Sequence, residues 1–186
     1  MSTRAQDLIE PGMPPKASLQ PCRSESREPL TILVAEDDSN DVLLLELALA
    51  KVWVNAHLHF VRDGMEAMDY LRGVPPFDNR GKHPLPNLLL MDLKMPRMDG
   101  FKLLAWLQGQ PRSDQMTVAV LSGSCWQADI DRAHALGANF FLNKPLNFRQ
   151  LAGVVERMED KRSLAFKLAS TEHEAHSQRR IPRPNV

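Results

Sequence analysis

The sequence has little of what marks a secreted, membrane-bound or nucleic-acid-binding chain. It holds 2 cysteines in 186 residues, Cys22 and Cys125. Two thiols build no disulfide framework, so a reducing compartment is expected. Lys plus Arg (23) balances Asp plus Glu (23), giving a formal net charge of zero. That removes the overall basic footprint expected of a nucleic-acid partner. No apolar run approaches the ~20 residues that span a bilayer. The stretch "LIEPGMPP" is broken by proline and makes no signal-peptide core. A soluble cytoplasmic protein without a membrane or nucleic-acid partner is the expectation.

Three regions can be told apart. Residues 1–29 carry Pro11, Pro14, Pro15, Pro21 and Pro29 among polar neighbours. They show no sustained periodicity and read as a flexible arm. Residues 30–158 are long enough for one domain with a sizeable core. Beyond Met158 a helical pattern continues through Leu164, Ala165 and Leu168, with Glu159, Asp160, Lys161 and Arg162 outward. Residues 159–186 thus read as a helical extension and tail. The small basic cluster Arg179, Arg180 and Arg183 fits a solvated tail. No helix-turn-helix, cyclase or methylesterase segment is evident.

Within 30–158 the pattern alternates. "TILVA", "HLHFV", "NLLLMD", "TVAVLS" and "ANFFL" read as strands. Between and after them, "SNDVLLLELALAK", "GMEAMDYLR", "GFKLLAWLQ", "WQADIDRAHALG" and "NFRQLAGVVERM" read as helices. Ser39 or Asn40 is the expected cap of the first helix. Met65, Met68 and Leu71 are expected to form the inner face of the second. The runs at 32–35, 88–91 and 117–121 suit parallel strands covered on both faces. Five strands alternating with five helices predict a doubly wound α/β domain. Such folds place their ligands beyond the carboxyl ends of the strands.

Chemistry collects at those ends. The first strand runs into Glu36, Asp37 and Asp38, and the third ends at Asp92. The fourth ends in Ser122-Gly123-Ser124, and Lys144-Pro145 follows the fifth. Singly, each is an ordinary turn or cap. Together they bring clustered carboxylates, a hydroxyl and an ammonium to one edge of one sheet. Adjacent carboxylates repel, more so when partly buried. A divalent cation offsets that repulsion. Mg²⁺ prefers oxygen ligands and binds through one or two carboxylates plus phosphate. With the acids neutralised, one carboxylate can act as a nucleophile toward a phosphoryl group. The metal and Lys144 would then stabilise charge on the phosphoryl oxygens.

The segments "ILVAEDD", "LLLMDLKMPRMDGFKLL", "TVAVLSGS" and "GANFFLNKPLNFRQL", in this order, resemble the receiver domain of two-component response regulators. The resemblance implies a flavodoxin-like, five-stranded parallel sheet of order 2-1-3-4-5 with helices on both faces. It implies that Asp92 is the phosphoacceptor, assisted by Lys144 and Ser122. Glu36 and Asp37 would be the metal-binding acidic pair, completed by Asp92 and the backbone carbonyl of Lys94. Asp38 falls on a more variable position and would cap the first helix. Ser122 would be the switch hydroxyl and Phe141 the switch aromatic, acting through ring packing alone. The Lys144–Pro145 bond would be cis.

The opening "LVAEDDSNDVLLLELAL" and the long segment 72–87 look closest to the small single-domain regulators of phytochrome-type histidine kinases. The bland reading of 72–87 is a proline-stiffened surface loop. The implied function is a stand-alone response regulator. A histidine kinase or phosphotransfer protein would phosphorylate it, with Mg²⁺ as cofactor, and it would not be a substrate-turnover enzyme. Output would pass through the fourth helix, fifth strand and fifth helix, to a partner or a homodimer.

Other classes fit less well. A phosphatase of the haloacid dehalogenase type needs a second aspartate two residues after the nucleophile, where Lys94 stands. A flavodoxin-like cofactor binder needs a phosphate loop after the first strand, where three acids would repel phosphate. A degenerate receiver, serving only as an interaction module, would not need the full chemical set.

Overall fold

The computed structural model describes residues 30–52, 56–111, 113–124, 126–146, 149–154 and 156–158. The elements are β1 (Leu30–Ala35), α1 (Ser39–Val52), β2 (Ala56–Val61), α2 (Gly64–Arg72), β3 (Leu88–Asp92), α3 (Gly100–Leu107), β4 (Thr117–Ser122), α4 (Gln127–Ala135) and β5 (Phe140–Asn143). A short 3₁₀ turn covers Ser113–Gln115. Residues 149–154 and 156–158 are helical. The sheet runs β2-β1-β3-β4-β5, and every pairing is parallel. The expected doubly wound, flavodoxin-like order 2-1-3-4-5 is therefore the observed one.

Two cores explain the continuous apolar strands. Successive side chains of a strand point to opposite faces. Leu33, Leu89, Met91, Val118 and Val120 join one cluster with Ala67, Leu103, Leu104 and Leu107. Ile32, Val34, Leu88, Leu90 and Leu121 join the other with Leu45, Leu49, Leu151 and Val154. Strands β1, β3 and β4 are buried at every position. Strand β2 lies at the sheet edge and is only partly buried, which is why "HLHFV" alternates.

Helix α2 faces the core differently from the expected Met65, Met68 and Leu71. Its fully buried residues are Gly64, Ala67 and Tyr70, while Met68 and Leu71 pack from the margin. The Tyr70 ring takes the core-facing position, where an aromatic buries about 150–250 Å². Asp63 sets the helix start by accepting from the amides of Met65 and Glu66. Gly73, at φ 71, ends it in the left-handed conformation.

The segment 72–87 is more than a proline-stiffened surface loop. Arg80 Nη1 donates to the carbonyls of Tyr70 (2.9 Å) and His83 (3.2 Å), and Nη2 donates to Leu71 (2.8 Å). It thus closes the C-terminal carbonyls of α2. The Tyr70 hydroxyl donates to the Pro84 carbonyl at 2.9 Å. The rings of His59, Phe77 and His83 surround Tyr70 at centroid distances of 5.2–5.7 Å. Burial, and then the charges of His83 and His57, lower the pKa of His59.

Burial pushes the Tyr70 phenol up to about 12, against a partial opposing effect of Arg80. A raised folded-state pKa means that stability is complete below the unfolded value near 10 and is lost as pH climbs toward 12. The loss should approach about 2 kcal/mol. Tyr70 is the single tyrosine of the chain, so phenolate absorbance reports it alone. The expected midpoint is near 12 in the native protein and about 10 in denaturant. A native midpoint at the denatured value would mean an open loop.

Candidate phosphoacceptor and metal site

The carboxyl end of the sheet is built from four strand ends. Strands β1 and β3 are neighbours in the sheet, so Glu36 and Asp37 emerge beside Asp92. One carboxylate oxygen from each of Glu36, Asp37 and Asp92 lies within 4.8 Å of the other two. Glu36 and Asp92 are buried and Asp37 is exposed. The trio therefore opens to solvent on one side. Oxygen-only donors, with room for water, are the chemistry of a Mg²⁺ site. Lys94 is exposed, and no donor among the described residues takes its backbone carbonyl. The donor set fits the cation.

Asp38 plays a different part from its two neighbours. Its Oδ1 accepts from the amides of Asn40 (2.7 Å) and Asp41 (3.4 Å). It is the N-cap of α1, as the resemblance implied for Asp38, while the alternative caps Ser39 and Asn40 lie inside the first turn. Its own amide donates to Glu36 Oε1 at 3.2 Å. The other Glu36 oxygen, Oε2, accepts from Lys144 Nζ at 2.6 Å.

Lys144 faces the carboxylates. Its amide donates to the Ser122 carbonyl at 2.8 Å, extending the β4–β5 ladder by one bond. The Lys144–Pro145 peptide is cis. Lys144 Nζ lies 2.6 Å from Glu36 Oε2, 2.8 Å from Asp41 Oδ2 and 3.1 Å from Asp92 Oδ2. Burial lowers the lysine pKa. Hydrogen bonds to Asp41 and Glu36, with the Asp92 charge, outweigh that and hold it above the ordinary value. Burial raises the Glu36 carboxyl, and the Lys144 hydrogen bond and charge only partly counter it. The acids exceed the local cation in number, so the site still favours an added positive ion.

Ser122 is 1% exposed, at the end of β4. Its hydroxyl oxygen accepts from the Ser124 amide at 3.1 Å. Phe141, in β5, is partly buried and packs on the cluster under α2, α3 and α4. Ser122 pairs with Asn143 and Val120 with Phe141 in the β4–β5 register. Phe141 thus sits two residues further from the strand end than Ser122.

The sequence reading missed two contacts. Asp41, in the first turn of α1, binds Lys144; a lone acid there reads as a solvated dipole partner. Arg97, at φ 58, pairs with Asp63 and Glu66 across the β3–α3 loop. A non-glycine residue in that conformation is uncommon, and no local pattern in "MPRMD" announces it.

Gly100 holds the loop close to the end of β3. A Cβ there would stand 2.6 Å from the Asp92 carbonyl oxygen and 2.9 Å from Leu93 Cα. Neither backbone atom can move away cheaply. Gly100→Ala should cost about 2–3 kcal/mol in urea unfolding. A loss under a few tenths would show that the loop relaxes.

The comparisons with known proteins agree with this fold. Residues 32–156 match the response regulator receiver domain. The chain belongs to the response regulator receiver family. Response regulator Rcp1 of Synechocystis is 33% identical over 135 residues, 73% of this chain and 90% of Rcp1. The phosphorylated cyanobacterial phytochrome response regulator RcpA is 36% identical with a TM-score of 0.60, over 71% of this chain and 92% of RcpA. RPA3017, a response regulator in red light signaling of R. palustris, is 37% identical with a TM-score of 0.59, over 73% and 90%. The Mn²⁺-bound form of Rcp1 has a TM-score of 0.59 and 32% identity, over 70% of this chain and 92% of Rcp1. The resemblance to regulators of phytochrome-type kinases is thereby borne out. Receivers work in two-component signalling, and phosphoaspartate and Mg²⁺ are typical of the family. Among the described residues no helix is long and apolar enough to cross a membrane.

The proposed arm 1–29 and extension 159–186 lie outside the described residues. So do Cys22, Cys125 and the basic cluster at 179–183.

Proposed function

We propose that this receiver accepts a phosphoryl group on Asp92, from a histidine kinase or phosphotransfer protein, in a Mg²⁺-dependent step. The observation that carries this is one geometry: Lys144 Nζ stands 3.1 Å from Asp92 Oδ2, beside a carboxylate trio within 4.8 Å. Glu36, Asp37, Asp92 and the Lys94 carbonyl would hold Mg²⁺, which supplies charge neutralisation for the incoming phosphoryl group. An Asp92 carboxylate oxygen forms the new bond to phosphorus. The bond from phosphorus to the donor nitrogen or oxygen breaks, and its electron pair leaves with the donor. Lys144 offers its ammonium to a phosphoryl oxygen as charge shifts. The Ser122 hydroxyl donates to another once it turns from the Ser124 amide.

Phosphorylation adds about −1.5 to −2 of charge at the strand end. Movement of Ser122 toward that charge opens space for Phe141, whose ring moves inward. The face of α4, β5 and the C-terminal helical residues would then change shape. That face would be read by another protein or by a second copy, in a two-fold homodimer. Trp126, 75% exposed at the start of α4, supports a protein-binding role for it. The proposed chain is a stand-alone regulator with its receiver at 30–158, not a substrate-turnover enzyme, acting in the cytoplasm.

Incubation with acetyl phosphate, with Mg²⁺ or with chelator, tests the reading by intact mass. One phosphoryl adduct with Mg²⁺ and none with chelator is the expected result. Equal labelling in both removes the metal from the account, and no labelling in either favours a phosphorylation-independent module.

A further inference from the structure

The Lys144 ammonium has three donor hydrogens and three carboxylate acceptors: Glu36, Asp41 and Asp92. Two of these, Glu36 and Asp92, also belong to the trio that fits a cation. Asp41 does not. A bound metal competes with Lys144 for the first two and leaves the third alone. Phosphorylation of Asp92 then removes a carboxylate oxygen from the set again.

The structure assigns Asp41 as the positioning residue for Lys144, an inference that rests on Asp92 being the phosphoacceptor. Asp41 keeps the ammonium at the strand edge when metal and phosphoryl group claim its other partners. Its own place is fixed from two sides. The Asp38 cap holds its amide at 3.4 Å in the first turn of α1. On the other side, Leu44, Pro145 and Leu146 line a cavity of about 20 Å³ against Asp41 and Lys144. That volume is about one water; the Lys144 side chain is 18% exposed and the Asp41 side chain 36%. Without Asp41, a long and flexible lysine loses its remaining anchor in the metal-bound state and spends less time on the phosphoryl oxygen. Loss of such outer partners lowers activity about tenfold.

Asp41→Ala tests this against Glu46→Ala, which removes the same charge from an exposed position of α1. Two readouts are taken on each full-length chain: the rate of labelling by acetyl phosphate at saturating Mg²⁺, and the Lys144 Nζ–H correlation in ¹⁵N NMR, assigned with Lys144→Arg. Wild type and Glu46→Ala should keep a protected Nζ–H signal with and without Mg²⁺. Asp41→Ala should keep it without Mg²⁺, lose it on adding Mg²⁺, and label about tenfold more slowly. A signal that survives Mg²⁺ in Asp41→Ala, with labelling at the wild-type rate, overturns the assignment. If wild type itself takes no label, the Asp92 reading fails. The NMR arm then still decides whether Asp41 holds the lysine.

Discussion

Asp92→Asn should abolish phosphoryl uptake, with a loss of at least about a thousandfold. Removal of a nucleophile costs this much or more where the rest of the site stays intact. The substitution is nearly isosteric, and Asp92 is 8% exposed at the end of a fully buried strand, so the fold should persist. An amide oxygen is a far weaker nucleophile than a carboxylate and carries no charge for the metal. Mg²⁺ affinity should therefore fall together with labelling. Urea unfolding of Asp92→Asn without Mg²⁺ should match or exceed wild type, because one of the mutually repelling acids has been neutralised. Labelling of the variant at the wild-type rate would remove Asp92 from the account.

Lys144→Ala should slow labelling about a hundred- to thousandfold, the usual cost of losing one preorganised donor to a developing charge. The variant also leaves Glu36 and Asp41 without their cation. Glu36, already raised by burial, loses the partner that lowered it. The metal-free fold should weaken, and added Mg²⁺ should restore part of the difference, which thermal unfolding with and without the metal will read. Lys144→Arg should recover little labelling, because a planar fork does not replace a compact ammonium. Wild-type labelling by Lys144→Ala would mean that the cation plays no part in transfer.

The sheet was legible because strands covered on both faces leave continuous apolar runs, as in "NLLLMD". The strand ends were legible because acids, hydroxyl and ammonium seldom collect there by chance. Helix α1 was harder. "VLLLELAL" is apolar almost all round and defines no face. The fold buries Leu45 and Leu49, while Leu43, Leu44 and Leu47 remain exposed. Helix α2 departs from the expected Met65, Met68 and Leu71 face because Tyr70 buries its ring and finds the Pro84 carbonyl for its hydroxyl. Asp41 and Arg80 could not be found at all from local pattern. Each owes its role to a partner distant in sequence or to backbone carbonyls that only the folded loop presents.

The most direct test of Asp92 as the Mg²⁺-dependent phosphoacceptor is borohydride trapping. An aspartyl phosphate is reduced to homoserine, so tandem mass spectrometry of the trapped, digested protein reads the modified position. Homoserine at position 92, present with acetyl phosphate and Mg²⁺ and absent with chelator, is the predicted result. Homoserine at Asp37 or another aspartate, hydroxynorvaline (the reduction product of a glutamyl phosphate) at Glu36, or a phosphoryl group recovered on a histidine with none at 92, would contradict it.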